Sequence, residues 1–189
     1  MKKVLLISAI VLGTIATSFA QNKTLKISNS ASSIQWYAEK VTGKHNGTVD
    51  LKSGEVSISG NKLVGGSFTV ELSSLKDVDI EDAGYRGKLE GHLKSADFFD
   101  AEKFPTATFK IKSVNGNTIS GDMTIKGKTN PVSFPATVSI TNGKLVASAE
   151  ITIDRTKYGL IYNSKSFFAS IGDKAIYDDF KLVVKLVSE

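Results

Sequence analysis

From Leu25 onward apolar and polar residues alternate almost one for one, and this period of two limits the chain to strands with one buried face. Ile34, Trp36 and Ala38 alternate with Gln35, Tyr37 and Glu39, and Phe68, Val70 and Leu72 alternate with Ser67, Thr69 and Glu71. Ala107, Phe109 and Ile111 oppose Thr108, Lys110 and Lys112, while Ile119, Met123 and Ile125 share a face with Gly121. Val132, Phe134, Ala136, Val138 and Ile140 make the longest stripe. The odd positions from Leu145 to Ile153 repeat it, and Phe180, Leu182, Val184 and Leu186 close the sequence. Gly60-Asn61, Asn115-Gly116 and Asn142-Gly143 each join two such runs, and this residue pair tolerates the positive φ of a tight hairpin.

Consecutive hairpins imply an all-β, antiparallel meander of about eight strands. Closing that sheet into a barrel removes its exposed edges, and eight strands leave room for packed side chains or one small ligand. An open two-sheet sandwich satisfies the same alternation. The pattern breaks only over Asp77 to Phe104, which is rich in Asp, Glu, Gly and Lys. Leu89, Leu93 and Ala96 lie there at helical spacing, which predicts a loop and a short helix over one end of the barrel. Pro131 and Pro135 in one strand predict an edge, a bulge or a strong bend. Such an edge permits a homodimer without requiring one.

The first twenty residues read as a targeting segment. Met1-Lys2-Lys3 is basic, Val4 to Ile15 is apolar, and Ser18-Phe19-Ala20 places small residues before Gln21. These features predict a signal peptide over 1–20, cleavage before Gln21, a single domain over 21–189, and a periplasmic or secreted product. The apolar run is shorter than the roughly 20 residues of a membrane span, so no integral membrane segment is expected after cleavage. Without Lys2 and Lys3 the balance falls from 24 basic against 19 acidic residues to 22 against 19. Only Arg86 and Arg155 are arginines, and the lysines are scattered among acids, unlike the concentrated basic face of a nucleic-acid binder. Cysteine is absent, which excludes disulfides, thiolate metal sites and an acylated cysteine anchor.

The same residues bear on catalytic and metal motifs. Asp77, Asp79, Glu81 and Asp82 suggest a calcium loop, but the sixth and twelfth positions from Asp77 hold Asp82 and Lys88 rather than Gly and Glu. The only histidines, His45 and His92, have no second histidine within helical reach, so a metal site would need carboxylates brought from elsewhere. Ser95, His92 and Asp97 are neighbours that point in different directions on one helix, and no Gly-x-Ser-x-Gly turn exposes a nucleophile. Gly65-Gly66 lacks the Lys-Ser/Thr of a phosphate loop. No cofactor or metal is therefore expected. What remains is a surplus of apolar groups: ten phenylalanines, with doublets at Phe98-Phe99 and Phe167-Phe168. Neighbours in a strand face opposite ways, so a doublet belongs at a barrel mouth or in a helix.

The segment from Gly91-His92-Leu93-Lys94-Ser95-Ala96-Asp97-Phe98-Phe99 to Phe104-Pro105-Thr106-Ala107-Thr108-Phe109 resembles the signature of the YceI-like family of polyisoprenoid-binding proteins. Further similarities follow in order: Trp36 with Gly43-Lys44-His45-Asn46-Gly47-Thr48-Val49, Gly66-Ser67-Phe68-Thr69-Val70, Gly121 to Thr129, Asp154-Arg155-Thr156-Lys157-Tyr158-Gly159, and Ser170-Ile171-Gly172-Asp173. The resemblance implies an extended lipocalin-like barrel, outside the cytoplasm, that holds a long-chain isoprenoid or fatty-chain lipid. It implies a ligand-binding set of Trp36, Phe68, Val70, His92, Leu93, Phe98, Phe99, Phe109, Met123, Phe134, Val138, Tyr158 and Phe168, with His92, Lys94 and Arg155 as candidates for the head group. Two stretches depart from the family pattern. Lys88-Leu89-Glu90-Gly91 stands where many members carry Arg-Asp, and Leu160 to Phe168 replaces a shorter connection.

The expected protein is thus a lipid binder without catalysis. Two other readings fit the same residues: an enzyme acting on an isoprenoid-like amphiphile with His92 as acid or base, and a packed envelope protein with no ligand. The targeting reading is checked by the intact mass of the exported protein, which should correspond to a polypeptide beginning at Gln21. Retention of Met1–Ala20 would refute it.

Overall fold

The computed structural model describes residues 22–189, so the expected signal peptide lies outside the described residues. Nine strands form one antiparallel sheet: β1 (Asn22–Lys26), β2 (Ser33–Lys40), β3 (Gly43–Ser59), β4 (Lys62–Asp77), β5 (Thr106–Asn115), β6 (Thr118–Ile125), β7 (Lys128–Thr141), β8 (Lys144–Asp154) and β9 (Ile176–Val187). The order β3-β2-β9-β8-β7-β6-β5-β4, with β4 paired back onto β3, closes eight of them into a barrel. β1 is the extra strand. It pairs with the second half of β3, Glu55–Ser59, while β2 pairs with the first half, Gly43–Thr48. The alternation thus resolves in favour of the barrel over the open sandwich.

Two very different ends result. Three tight hairpins, β3–β4, β5–β6 and β7–β8, lie at one end together with the last residues of β9. At Asn142-Gly143 both loop residues have positive φ, 51° and 75°, as the sequence pair predicts. The β5–β6 loop differs by one residue from the expected Asn115-Gly116. Asn115 pairs with Thr118, so Gly116 and Asn117 form the loop and glycine takes its positive-φ position, at 60°. The long connections all lie at the other end. One carries the helix α1 (Ala83–Lys94) between β4 and β5, and the other runs from a 3₁₀ turn, Arg155–Tyr158, to β9.

α1 starts where the carboxylate of Asp82 accepts the amide of Tyr85 at 2.8 Å. It contains Gly84, Gly87 and Gly91 and buries no residue fully, so its intrinsic stability is low. Ala96, expected at helical spacing, falls past its end. The two prolines of β7 have a simple account. Ala136 donates its amide to Asn117 on the β6 side at 2.8 Å, so amides of the opposite parity, including positions 131 and 135, face away from β6. β8 pairs with β7 only from Ala136 onward, so neither proline deprives a partner of a donor.

Two glycines let large rings cross the interior. A Cβ on Gly47 would stand 2.6 Å from the Trp36 ring, which lies over that glycine and donates its indole N–H to Lys76 O at 3.2 Å. A Cβ on Gly121 would meet Lys110 O at 2.3 Å and the Phe109 ring at 2.7 Å. Gly121→Ala should therefore destabilise the fold by about 1–3 kcal/mol through overpacking. Gly87→Ala, with nothing within 4 Å of its Cβ, should stabilise it by up to about 1 kcal/mol. Urea midpoints at unchanged slope measure both, and equal signs would contradict this packing account.

Candidate functional site

Inward-facing apolar residues of this barrel are often only half-buried, and that is the first sign of empty space. Phe68, Val70, Ala107, Phe109, Phe180 and Leu182 lie on the apolar stripes yet keep accessible surface. They border a cavity of about 670 Å³ that runs through the barrel interior. Its walls are almost wholly hydrocarbon. Trp36, Phe68, Val70, Phe109, Met123 and Phe134 line it from the strands. Phe109 and Phe134 pack against each other with ring centroids 5.4 Å apart.

The helical end closes over this space with aromatic and polar groups. Leu93 and His92 line the cavity from α1, and both members of the Phe98-Phe99 doublet line it from the turn that follows. Because that segment is a turn rather than a strand, two consecutive side chains can face the same way. Phe98 is buried, and Phe99 packs edge-on against Phe180 at 6.5 Å. The His92 ring stands edge-on between Phe98, at 5.4 Å, and Tyr162, at 4.6 Å. Lys94 is half-buried at the end of α1.

Three residues of the sequence-derived set lie elsewhere. Val138 belongs to the inward stripe of β7 and packs on the core, outside the cavity lining. Tyr158 is 2% exposed, packed in the core beneath the 3₁₀ turn, and burial pushes its phenol up from the ordinary value. Phe168 and its neighbour Phe167 are exposed on the β8–β9 connection. Sequence reasoning missed Tyr162 and Phe180 as cavity residues. Phe180 was legible as the first member of the β9 stripe, but Tyr162 sits in an irregular connection with no periodicity to reveal it.

Arg155 places a charge against the apolar wall. It lines the cavity, lies 5.7 Å from the Phe98 ring centroid, and is 3% exposed. Its Nε donates to Tyr177 O at 3.0 Å, Nη2 to Ile176 O at 2.9 Å, and Nη1 to Leu160 O. These bonds tie the 3₁₀ turn, the long connection and the start of β9 together. Asp178 approaches the same guanidinium at 3.6 Å and accepts the Ser166 hydroxyl. The burial of Asp178 raises its carboxyl, but hydrogen bonds from Ser164 and Ser166 and the Arg155 charge outweigh this and hold it below the ordinary value.

A second polar group stands on the rim between β3 and β4. His45 Nδ1 lies 3.0 Å from Asp79 Oδ2 and 3.9 Å from Asp77 Oδ2, and His45 also borders the cavity. Burial and the neighbouring Asp79 raise the Asp77 carboxyl against the opposing amide of Ile80. Partial desolvation at the rim opposes ionisation of the exposed Asp79, but the Asn46 amide and His45 hold it below the ordinary value. Sequence reasoning tested these residues separately, because 32 or more positions separate the histidine from the aspartates and only the β3–β4 pairing joins them.

A closed antiparallel barrel with long loops at one end and an apolar interior cavity is the architecture of a lipocalin-like binding fold. Residues 25–188 match the YceI-like domain, and the chain belongs to that family. It is similar to BcnA of Burkholderia cenocepacia, with a TM-score of 0.66 at 20% identity over 86% of this chain and 99% of that one. It is equally similar in fold to a polyisoprenoid binding domain from Saccharophagus degradans, with a TM-score of 0.66 at 14% identity over 90% and 98% of the two chains. Among sequence relatives, a UPF0312 protein of Staphylococcus aureus strain bovine RF122 is 37% identical over 81 residues, covering 39% of this chain and 47% of the relative. The chain thus spans about half the length of the curated relatives it matches.

The Asp178–Arg155 pair yields a pH expectation. A carboxyl held below its ordinary value stabilises the folded protein above the unfolded value of about 3.9, and that contribution is lost as pH falls through the folded value. Asp178→Asn should therefore reduce stability at pH 7 by about 1–3 kcal/mol and flatten the fall in stability below about pH 4. Urea unfolding at stepped pH measures this, and parallel curves for the two proteins would refute the assignment.

Proposed function

We propose that this protein binds one long-chain apolar lipid, an isoprenoid or a fatty-chain amphiphile, inside the barrel. The observation that carries the reading is the cavity of about 670 Å³ with hydrocarbon walls and polar groups at its helical end. That volume lies within the roughly 300–1,000 Å³ of ligand pockets, and a packed barrel would leave it unexplained. Burying a methylene contributes about 0.8 kcal/mol, so ten of them offer about 8 kcal/mol without any specific contact. This falls within the roughly 4–15 kcal/mol that association costs, so chain length alone can decide whether a lipid stays bound. The fold likeness to a polyisoprenoid binding domain supports the same reading.

The alkyl chain would lie along Trp36, Phe68, Phe109, Met123 and Phe134, with its polar end near His92 and Arg155 at the mouth. With the basic and apolar N-terminal segment, the reading extends to an exported carrier or store acting in the periplasm or outside the cell. His92 then orients a head group and need not transfer a proton.

Native mass spectrometry of the purified protein, followed by organic extraction, tests the proposal. A discrete adduct of roughly several hundred daltons with an isoprenoid or fatty-chain pattern is expected, at about the size that fills such a pocket. Phe134→Asp should lose it while the thermal unfolding transition remains cooperative. A folded wild-type protein with only its apo mass, which also takes up no added isoprenoid alcohol or fatty amide, would overturn the reading.

A further inference from the structure

The β3–β4 pairing brings His45, Asp77 and Asp79 to one point on the barrel rim, where three of their ligand atoms converge and His45 Nδ1 shares a hydrogen bond with Asp79 Oδ2. The Nδ1 of His45 and one carboxylate oxygen from each aspartate all lie within 4.8 Å of one another. The other oxygen of each aspartate is already engaged. Asp77 Oδ1 accepts the Ile80 amide at 2.8 Å, and Asp79 Oδ1 accepts the Asn46 amide at 2.7 Å. Backbone amides therefore fix both carboxylates and aim their remaining oxygens at His45.

One of those oxygens is an orphan. The Asp77 side chain is 0% exposed, and its Oδ2 is buried without a hydrogen-bond partner. A buried acceptor left unpaired costs about 1–3 kcal/mol, more when charged, so such an atom calls for a ligand. Among the described residues, the ion pairs of Asp77 and Asp79 are with His45. Two carboxylates facing one imidazole leave an excess of negative charge at this point. Asp77 also donates its own amide to Glu90 of α1 at 3.0 Å, which anchors the segment from both sides.

We propose that His45, Asp77 and Asp79 form a binding site for a divalent transition-metal cation of the Zn²⁺ type. One imidazole nitrogen with two carboxylate oxygens is a donor set suited to zinc, while calcium would need about 6–8 oxygen ligands. Zinc holds such ligands at about 2.0–2.2 Å, which sets neighbouring ligand atoms of a tetrahedron about 3.4 Å apart. The observed separations of 3.0 and 3.9 Å from His45 Nδ1 bracket that value, so a small side-chain adjustment would seat the ion. His45 and Asp79 keep about a third of their side-chain surface, 32% and 31%, so the ion has a path from solvent and room for water as a fourth ligand. The site is independent of what fills the barrel, although His45 also borders the cavity.

Titration calorimetry of Zn²⁺ into the purified, tag-free protein tests the site, with Ca²⁺ and Mg²⁺ as comparison ions. The expected result is one Zn²⁺ per protein molecule, with affinity at least tenfold lower in both His45→Gln and Asp79→Asn and unchanged in His92→Gln. Calcium and magnesium should bind at least tenfold more weakly than zinc. Asp77→Asn can fail through folding alone, so the exposed His45 and Asp79 carry the test, with circular dichroism confirming that their variants remain folded. Zn²⁺ should also shift the imidazole NMR signals of His45 and leave those of His92 in place. Absence of binding, or zinc affinity that survives His45→Gln, would overturn the proposal.

Discussion

The rest of the structure depends on the seam between β2 and β9. It pairs Ser33–Lys40, near the start of the described residues, with Ile176–Lys185 near their end. Every other barrel neighbour is adjacent in sequence and can form as a local hairpin or across one connection. Among the barrel-strand pairs the seam alone joins distant parts of the sequence, so its loop-closure entropy must be overcome by the contacts that closure creates. Those contacts are large: Trp36 faces Leu182, Ile34 faces Val184, and Ala38 faces Phe180 across it. Without closure, one wholly apolar sheet face and two long edges would be left to water.

Closure also creates the division of labour between the two ends. An antiparallel meander alternates its turns between ends, and this one keeps only tight turns at one end and puts nearly all its spare length at the other, beside the two-residue β2–β3 and β6–β7 turns. The apolar interior therefore opens towards loops that carry most of the polar chemistry near it. Arg155 shows how costly that arrangement is to build. Its charge is tolerated beside an apolar wall because three backbone carbonyls and Asp178 surround it. The glycines serve the same end by a different route, since Gly47 and Gly121 give up side chains so that Trp36 and Phe109 can lie across the interior.

Much of this was legible in the residues themselves. Alternation named the inward face of nearly every strand, because a pleated strand has only two faces and one must avoid water. The stripe of β7, the face shared by Ile119, Gly121, Met123 and Ile125, and the stripe of β9 all stand as read. Ten of the thirteen sequence-derived site residues line one cavity, since residues on inward stripes share whatever space a barrel encloses. Val138, Tyr158 and Phe168 do not, and the reasons differ. Val138 and Tyr158 pack against other core residues, while the Phe167-Phe168 doublet lies in an irregular connection where no period predicts direction.

The sequence by itself determined the all-β class, the antiparallel order, the buried face of each strand and the place of the helical interruption. Those properties are local, set by the two-residue repeat, by residues that accept positive φ, and by the loss of both signals between Asp77 and Phe104. Tertiary structure alone decided that the sheet closes, that its interior is hollow rather than filled, and that β1 extends the edge beside β2. It alone decided that His45 meets Asp77 and Asp79, and that Tyr162 meets His92. Such facts rest on the summed volumes of side chains from all eight staves and on the register between strands far apart in the sequence. No window of sequence contains either quantity.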